Sequence, residues 1–454
     1  MGNDNSSIEV LRPISRRKVW IVGGSVAALL LAVPLGWLSW QHHVIERKLA
    51  AIGARGEPLT PADLEALYER PPAEQDCTAL YMYHEGAWAR TLGAQSRSFP
   101  IMGDGGEPPR LDEPWDDLPA IEQFLSDNHV VFAQLHEAAA RGGRARFPIA
   151  FEVGFSALLP YTQTMRWISR CLALEAHVRA YRGDAAGAAD SLHAGIISGR
   201  AVENEPLMVS QLVRMAINTT ALEELKRLLP QAHFAADDLA RLQADLEAVD
   251  FRAGIRRGLL GDRVLAILTA KDPGKMGYSG RVNGKLMTAA HYTTQGHLLS
   301  GYLAESDRLL AAVEKPWSQM LGRLPLTQPR FQNTYTSDWD LLKDFVGDMS
   351  GYVRAGLQAT TANQLGILAL ALARYRLDHE QFPEELADLV PAYLAEVPLD
   401  PSTGAPFRYS VDERGLLLYR PWQVSGWKVP TDPETGASFE LLFRWESPAQ
   451  RPDR

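Results

Sequence analysis

The stretch that decides the fold is residues 171–198, CLALEAHVRAYRGDAAGAADSLHAGIIS. On both sides of Gly183 and Asp184, apolar and small residues recur every three or four positions, as in two amphipathic helices joined by a tight turn. The first helix is predicted to begin at Ala157 and the second to end at Glu203. Short turns between long helices produce antiparallel hairpins. The sequence therefore predicts a mainly α-helical protein built from such pairs.

The same periodicity extends outward from this hairpin. Thr60 is a predicted N-cap, with a proline in the first helical position. A helical domain is therefore predicted over residues 59–337. Its other helices are predicted over Thr78–Leu92, Ala120–Arg141, Leu207–Leu229 and Tyr302–Glu314, and Asp237–Leu268 is predicted to form one or two helices.

Two loops rich in glycine, proline or both interrupt the helical domain, at residues 93–119 and 271–300. A loop this long inside a folded domain is expected to be functional or mobile. The first loop carries an acidic cluster. We expect this cluster to be solvated, with attraction of a cation as the alternative. Its members are Asp112, Glu113, Asp116 and Asp117.

The hairpin at residues 169–202 resembles a single tetratricopeptide unit. Small or apolar residues occupy the positions where the two helices of such a unit meet. Arg200 stands where the repeat ends in proline, and no second copy follows in the 34-residue register. The resemblance implies the packing of such hairpins and not an array. The contact positions are Ala176, Ala188, Leu192 and Gly195.

Residues Val19–Trp40 carry no formal charge and directly follow a basic cluster, Arg16, Arg17 and Lys18. A helix of this length spans about 33 Å, slightly more than a bilayer core of about 30 Å. Basic residues favour the cytoplasmic side. We therefore predict a cytoplasmic tail over residues 1–18 and a transmembrane helix over 19–40. Trp20, Trp37 and Trp40 lie near its ends, where indole rings favour the interface.

After this span we predict a stalk over residues 41–58 and an extracytoplasmic, periplasmic domain. The location corresponds to a bacterial inner-membrane protein with a single span. A cleaved signal peptide is the alternative, since Arg16 and Arg17 also fit a twin-arginine signal. The apolar run is longer than a typical signal core, which favours an uncleaved anchor.

Charge and cysteine content limit the function classes. The net charge of −9 and the pI of about 5.7 argue against a nucleic-acid partner. Cys77 and Cys171 could form one disulfide outside the cytoplasm, with two buried thiols as the alternative. The chain contains no CxxC or HExxH motif. We therefore predict no catalytic residues, no metal ligands and no cofactor.

Residues 338–446 are predicted to contain β-strands as well as a helix, unlike the helical domain before them. A long helix is predicted over Asp338–Asp378, followed by a β-hairpin over residues 406–419 and a last strand at Phe439–Trp445. Residues 447–454 are a predicted disordered tail. Aromatic, proline and aspartate residues are closely spaced at the helix end and before the hairpin. They are Tyr375, Asp378, Phe382, Pro383, Pro398, Asp400, Pro401, Gly404, Pro406 and Tyr409.

On these residues, the segment 363–420 resembles the C-terminal module of the major pseudopilins of type II secretion. The resemblance implies a buried helix, a short second helix and a hairpin. The N-terminus departs from that family, because it lacks the Gly-Phe-type peptidase site and the glutamate that begins a pseudopilin helix. The apolar N-terminal helix is therefore predicted to be a permanent tether.

These features favour a membrane-anchored, non-catalytic interaction or scaffold protein of the bacterial envelope, with a protein partner there and an unassigned oligomeric state. A role related to secretion is one form of this hypothesis. Two alternatives stay open: an envelope hydrolase with an unfamiliar site, and a pseudopilin-like assembly subunit.

Overall fold

A computed structural model describes residues 16–82, 96–103, 105–271, 285–320, 338–412, 415–421 and 439–446. The chain divides into two compact units. One consists of Met1–Gly56 with Gly280–Gly301, and the other consists of Glu57–Ser279 with Tyr302–Arg454. The predicted C-terminal tail lies outside the described residues.

Helix α1, Arg16–Ala54, forms most of the described part of the first unit. Lys48 Nζ donates to the carbonyl oxygen of Ser300 at 2.7 Å in the same unit. Within the ranges given above, no helix is both long and apolar enough to cross a membrane. The predicted span at 19–40 therefore has no support from this structure, although many of its side chains lie outside the described part.

The second unit is mainly helical. Fifteen helical elements are described between α1 and the sheet, and three of them are short 3-10 helices at Phe151–Ser156, Gly199–Val202 and Leu386–Leu389. One of the α-helices, Lys285–Val313, begins in the first unit and ends in the second. The α-helices in chain order are α2 Pro61–Leu67, α3 Thr78–Met82, α4 Leu118–Asp127, α5 His129–Ala140, α6 Tyr161–Tyr181, α7 Ala185–Ser198, α8 Met208–Leu228, α9 Ala236–Glu247, α10 Phe251–Lys271, α11 Lys285–Val313, α12 Trp317–Met320 and α13 Asp338–His379.

The predicted hairpin is confirmed as α6 and α7. Asp184 is the N-cap of α7, and its carboxylate accepts a hydrogen bond from the Gly187 amide at 2.9 Å. Gly183 has a φ of +80°, a conformation that side-chain-bearing residues rarely adopt. The turn is therefore specified by the two residues that the sequence pattern singled out.

Two predictions require correction, one of a helix and one of a loop. The helix predicted over 120–141 is two helices, because Asn128 leaves the helical conformation and its side-chain Nδ2 donates to the Phe124 carbonyl. The stretch 237–268, predicted as one or two helices, forms two, α9 and α10. The predicted loop at 271–300 is helical from Lys285 onward, and residues 272–284 lie outside the described part.

A three-stranded antiparallel sheet of order β1-β2-β3 confirms the predicted β module. Its strands are β1 Arg408–Asp412, β2 Gly415–Pro421 and β3 Phe439–Glu446. Leu416, Leu418, Phe443 and Trp445 are buried against the second half of α13. That half is buried on most sides, which explains its run of alanine and leucine.

Helix α6 is central to the second unit. Its Ala176 and Ala180 belong to one core, formed with α7, α8, α9, α13 and the sheet. Its Met165, Ile168 and Leu174 belong to another core, formed with α3, α4 and α5. A helix buried on both sides has few surface positions left for polar side chains, so its polar residues indicate what lies against it.

Candidate interaction site

Three polar side chains of α6 bind the main chain of the segment that precedes α4. Arg170 Nη1 donates to the Met102 carbonyl at 3.1 Å. The Tyr181 hydroxyl donates to the Glu113 carbonyl at 2.7 Å. His177, the third of these side chains, bonds in the same way to the carbonyl of Pro109.

The three donors follow the segment in register. His177 Nε2 lies 2.9 Å from the Pro109 carbonyl oxygen. Each of the three carbonyls lies 68 positions before its donor. The donors are separated by seven and four residues, a spacing that places them on one face of a helix. The face therefore recognises main-chain carbonyls along a segment that runs parallel to it.

His177 also pairs with a buried acid. Its Nδ1 lies 2.7 Å from Glu224 Oε1, and both side chains are almost fully buried. Arg227 Nη1 donates to the other oxygen of that carboxylate at 3.2 Å. Both ring nitrogens of His177 are therefore within hydrogen-bonding distance of an oxygen.

Side-chain contacts add to the main-chain bonds. The Trp115 ring packs edge-on against His177 and Tyr181, with centroids 5.3 Å and 5.4 Å apart. The amide of Leu111 donates to Gln231 Oε1 at 3.1 Å, just beyond the end of α8. We call the surface formed by Arg170, His177, Tyr181, Arg227 and Gln231 the α6–α8 groove, and residues 102–117 its covering segment.

The predicted loop at 93–119 thus contains a well-packed part. Residues 105–117 lie against α6 and α8, whereas 93–95 and residue 104 lie outside the described residues. Within the acidic cluster, Asp112 pairs with Arg110 at 3.4 Å. No cluster of three or more potential metal ligands exists among the described residues.

A second buried acid, Glu175, lies beside a histidine and a serine, but the three side chains do not form a catalytic triad. His136 Nε2 lies 2.8 Å from its Oε2, and Ser191 Oγ donates to the same oxygen at 2.8 Å. Arg179 donates to Oε1 at 2.8 Å. The serine proton therefore points to the carboxylate and not to a histidine base, which a hydrolytic triad requires.

The pKa of Glu175 follows from these contacts. Burial raises it, but the bonds from His136, Arg179 and Ser191 outweigh burial and lower it. The carboxylate is thus a charged structural centre. His193 bonds separately to Asp245 at 2.6 Å, so it and His177 do not form the mutual pair that their hairpin positions allow.

Glu205 is a third buried acid, and its pKa is raised, unlike that of Glu175. Its oxygens accept hydrogen bonds from the Tyr161 hydroxyl at 2.9 Å and the Tyr68 hydroxyl at 3.3 Å. Complete burial raises the pKa of Glu205 to about 8, because its hydrogen bonds only partly offset desolvation. Burial also raises the pKa values of both tyrosines, so they remain neutral donors.

One small cavity lies between α7, α8 and the α9–α10 connection. Its volume is about 10 Å³, which is room for one water molecule. Arg200, Arg214, Asn218 and Asp245 are among its lining residues. A space of this size does not hold an organic substrate, which disfavours it as a hydrolase site.

The two cysteines are buried free thiols in this structure. Cys77 Sγ donates to carbonyl oxygens of Gln75 and Ala138 at 3.4 Å and 3.5 Å. Burial raises the pKa of both thiols. The disulfide predicted as one alternative is therefore not formed here, and the thiol alternative describes the structure.

The C-terminal motif residues form a contact network around the end of α13. Tyr375 stacks on His379, and the Tyr393 hydroxyl donates to Asp378 at 2.6 Å. The Tyr409 hydroxyl donates to the Pro383 carbonyl at 2.7 Å.

A turn before the hairpin contains the rest of this motif. The Asp400 carboxylate accepts from the amide and hydroxyl of Ser402 at 2.8 Å and 2.6 Å. Leu399 pairs with Pro406 in an isolated bridge, and Phe382 lies against Trp445. Pro398, Pro401 and Gly404 lie in or beside this turn. These contacts join the turn, the end of α13 and the sheet.

The predicted anchor residues all lie in α1. Trp20, Trp37 and Trp40 are at least half exposed, and the rings of the last two are 5.3 Å apart. The side chains of Arg16, Arg17 and Lys18 lie outside the described part.

No protein-family model, curated protein or solved structure matches the chain. The sequence analysis assigned no role to His177 or its partners. The available signal was the spacing of Arg170, His177 and Tyr181, which places them on one face of the helix. That spacing indicates a polar stripe, whereas the carbonyls that it binds lie far away in sequence.

Proposed function

We propose that this protein is a membrane-anchored, non-catalytic interaction protein of the bacterial envelope, with its helical domain outside the cytoplasm. The observation that carries the proposal is the α6–α8 groove. Its donors bind main-chain carbonyls of a non-helical segment, which is the chemistry of polypeptide binding. The buried acids nearby are engaged in hydrogen bonds and ion pairs and do not line a substrate-sized cavity.

The anchor rests on α1. Its uncharged stretch begins directly after three basic residues, and most of the large side chains described within that stretch are exposed. Val33 and Leu35 are 63% and 64% exposed. Exposed apolar side chains are stabilised when a lipid phase covers them. A lipid environment therefore accounts for a feature that is costly in water.

Two measurements test location and anchoring. Protease added to spheroplasts should digest the helical domain. The domain should resist protease added to whole cells. A chain lacking residues 19–40 should move from the membrane to the soluble fraction. A domain protected in spheroplasts, or full-length chain extracted by carbonate, would refute this part of the proposal.

The interaction role is tested with the full-length protein. Crosslinking in cells, detergent solubilisation and affinity purification should recover a defined envelope protein. A chain that carries Tyr181→Phe, which removes one hydrogen-bond donor of the groove, should recover less of this envelope protein. Recovery that is equal from both chains would show that the groove is not the binding surface.

A second candidate, a pseudopilin-like assembly subunit, is favoured by the contacts of the C-terminal module. It requires processing of the N-terminus. Mass spectrometry of the purified chain should then show that N-terminal residues have been removed. An intact N-terminus would eliminate this candidate.

A further inference from the structure

We propose that the α6–α8 groove is a peptide-binding site occupied by the protein's own covering segment, and that its partner is an acidic, proline-containing peptide with a tryptophan anchor. This inference rests on the proposed interaction function and names its ligand class. The covering segment supplies the chemistry, since residues 105–117 have the sequence GGEPPRLDEPWDD.

Because the groove binds main-chain atoms, it can accept peptides of different sequence. Arg170, His177 and Tyr181 donate to carbonyl oxygens, which every residue provides. A peptide of another sequence can accept the same bonds if it follows the same path. The groove is therefore specific for a conformation and for a few side chains, not for one complete sequence.

Tryptophan provides the apolar anchor. Trp115 is 9% exposed, and it packs edge-on against His177 and Tyr181. Aromatic anchors in pockets supply much of the binding energy at protein interfaces. Proline on both sides of Leu111 limits the segment to few conformations and lowers the entropy lost on binding.

Charge complementarity defines the rest of the partner. The segment contributes five carboxylates between residues 107 and 117 against a single arginine. Arg227 of the groove lies 3.7 Å from the Glu107 carboxylate. Opposite charges across an interface raise association rates and exclude basic peptides. An acidic ligand is therefore favoured over a basic one.

The covering segment can leave the groove without unfolding a helix or a strand. It has no regular secondary structure between residues 105 and 117, so its release breaks no helix or strand. A protein whose site is open only part of the time binds an external ligand with correspondingly lower apparent affinity. A change that weakens the covering segment should therefore strengthen peptide binding.

The test uses the full-length chain in detergent micelles and a fluorescein-labelled peptide of residues 102–117, which contains the carbonyl acceptors of all three donors. Fluorescence anisotropy should show weak binding to the wild type and binding about tenfold tighter or more to Trp115→Ala. A peptide with alanine in place of tryptophan should bind neither chain. A folded Trp115→Ala chain that gains no affinity would overturn the proposal, and so would its dimerisation without peptide.

A second measurement avoids any loss of folding in the variant. A peptide that carries benzoylphenylalanine at its leucine should crosslink to α6 or α8 of the wild-type chain, as located by mass spectrometry. Crosslinks distributed elsewhere would refute the site. Peptide binding without a recoverable envelope partner would contradict the proposed function alone, whereas a recovered partner without peptide binding would contradict this inference alone.

Discussion

Replacement of Glu205 by glutamine should remove a large pH dependence from the stability of the helical domain. Glu205 is fully buried, and its pKa is about 8 in the folded chain against an ordinary value of 4.5. Between these two pH values the native state retains a proton that the unfolded state has lost. The free energy of unfolding must therefore decrease as pH rises through this window.

The magnitude follows from the shift. Each pH unit well inside the window costs about 1.4 kcal/mol, and less near its ends, where the group is half titrated. Glu205 therefore lowers stability by about 3 kcal/mol at pH 7 and about 4 kcal/mol at pH 8, relative to pH 4.5. Glutamine is neutral at every pH and close to the protonated acid in shape. The variant should match the wild type near pH 4.5 and exceed it increasingly above that value.

Urea denaturation of both chains from pH 4.5 to 8, followed by far-UV circular dichroism, measures this difference. Glu74→Gln is the matched control, because Glu74 is exposed, and its curve should parallel that of the wild type. Parallel curves for wild type and Glu205→Gln across the whole window would show that the carboxyl is already ionised in the fold, and the reasoning from burial would fail.

Three further changes test the fold and the thiols. Asp184→Ala removes the N-cap of α7 and should cost about 1 kcal/mol in urea denaturation; an unchanged midpoint would show that the cap bond is not formed. Tyr409→Phe removes the hydrogen bond to Pro383 and should cost about 1 kcal/mol, with an equal stability of both chains as the contrary result. Without reductant, a thiol reagent should label Cys77 and Cys171 only after denaturation, and no labelling in urea would reveal a disulfide.

Local patterns predicted the elements that local contacts build. The α6–α7 turn could be predicted because Gly183 and Asp184 each act within a few residues. The β-hairpin could be predicted for the same reason, since β1 and β2 are adjacent in sequence. The break at Asn128 was missed because an asparagine costs little inside a helix pattern, and only its bond to Phe124 ends α4.

The candidate site could not be predicted in the same way. The partners of His177, Pro109 and Glu224, lie 68 and 47 positions away from it. No periodicity joins residues at such separations. The raised pKa of Glu205 could not be predicted either, because it comes from complete burial of the carboxyl group, which only folding produces.

The packing of α6 determines which of its neighbours can be displaced. On one side, small residues allow close helix contact: a Cβ on Gly195 of α7 would lie in ordinary van der Waals contact, 3.7 Å from Ala221 of α8, and separation of these buried helices would open cavities. On the other side, the covering segment is held by a few hydrogen bonds of about 1 kcal/mol each and by two buried side chains, Met102 and Trp115, of about 3 kcal/mol each. Opening therefore costs several kcal/mol at the segment and far more at the helices. If this protein binds a partner along α6, the partner enters where residues 105–117 lie.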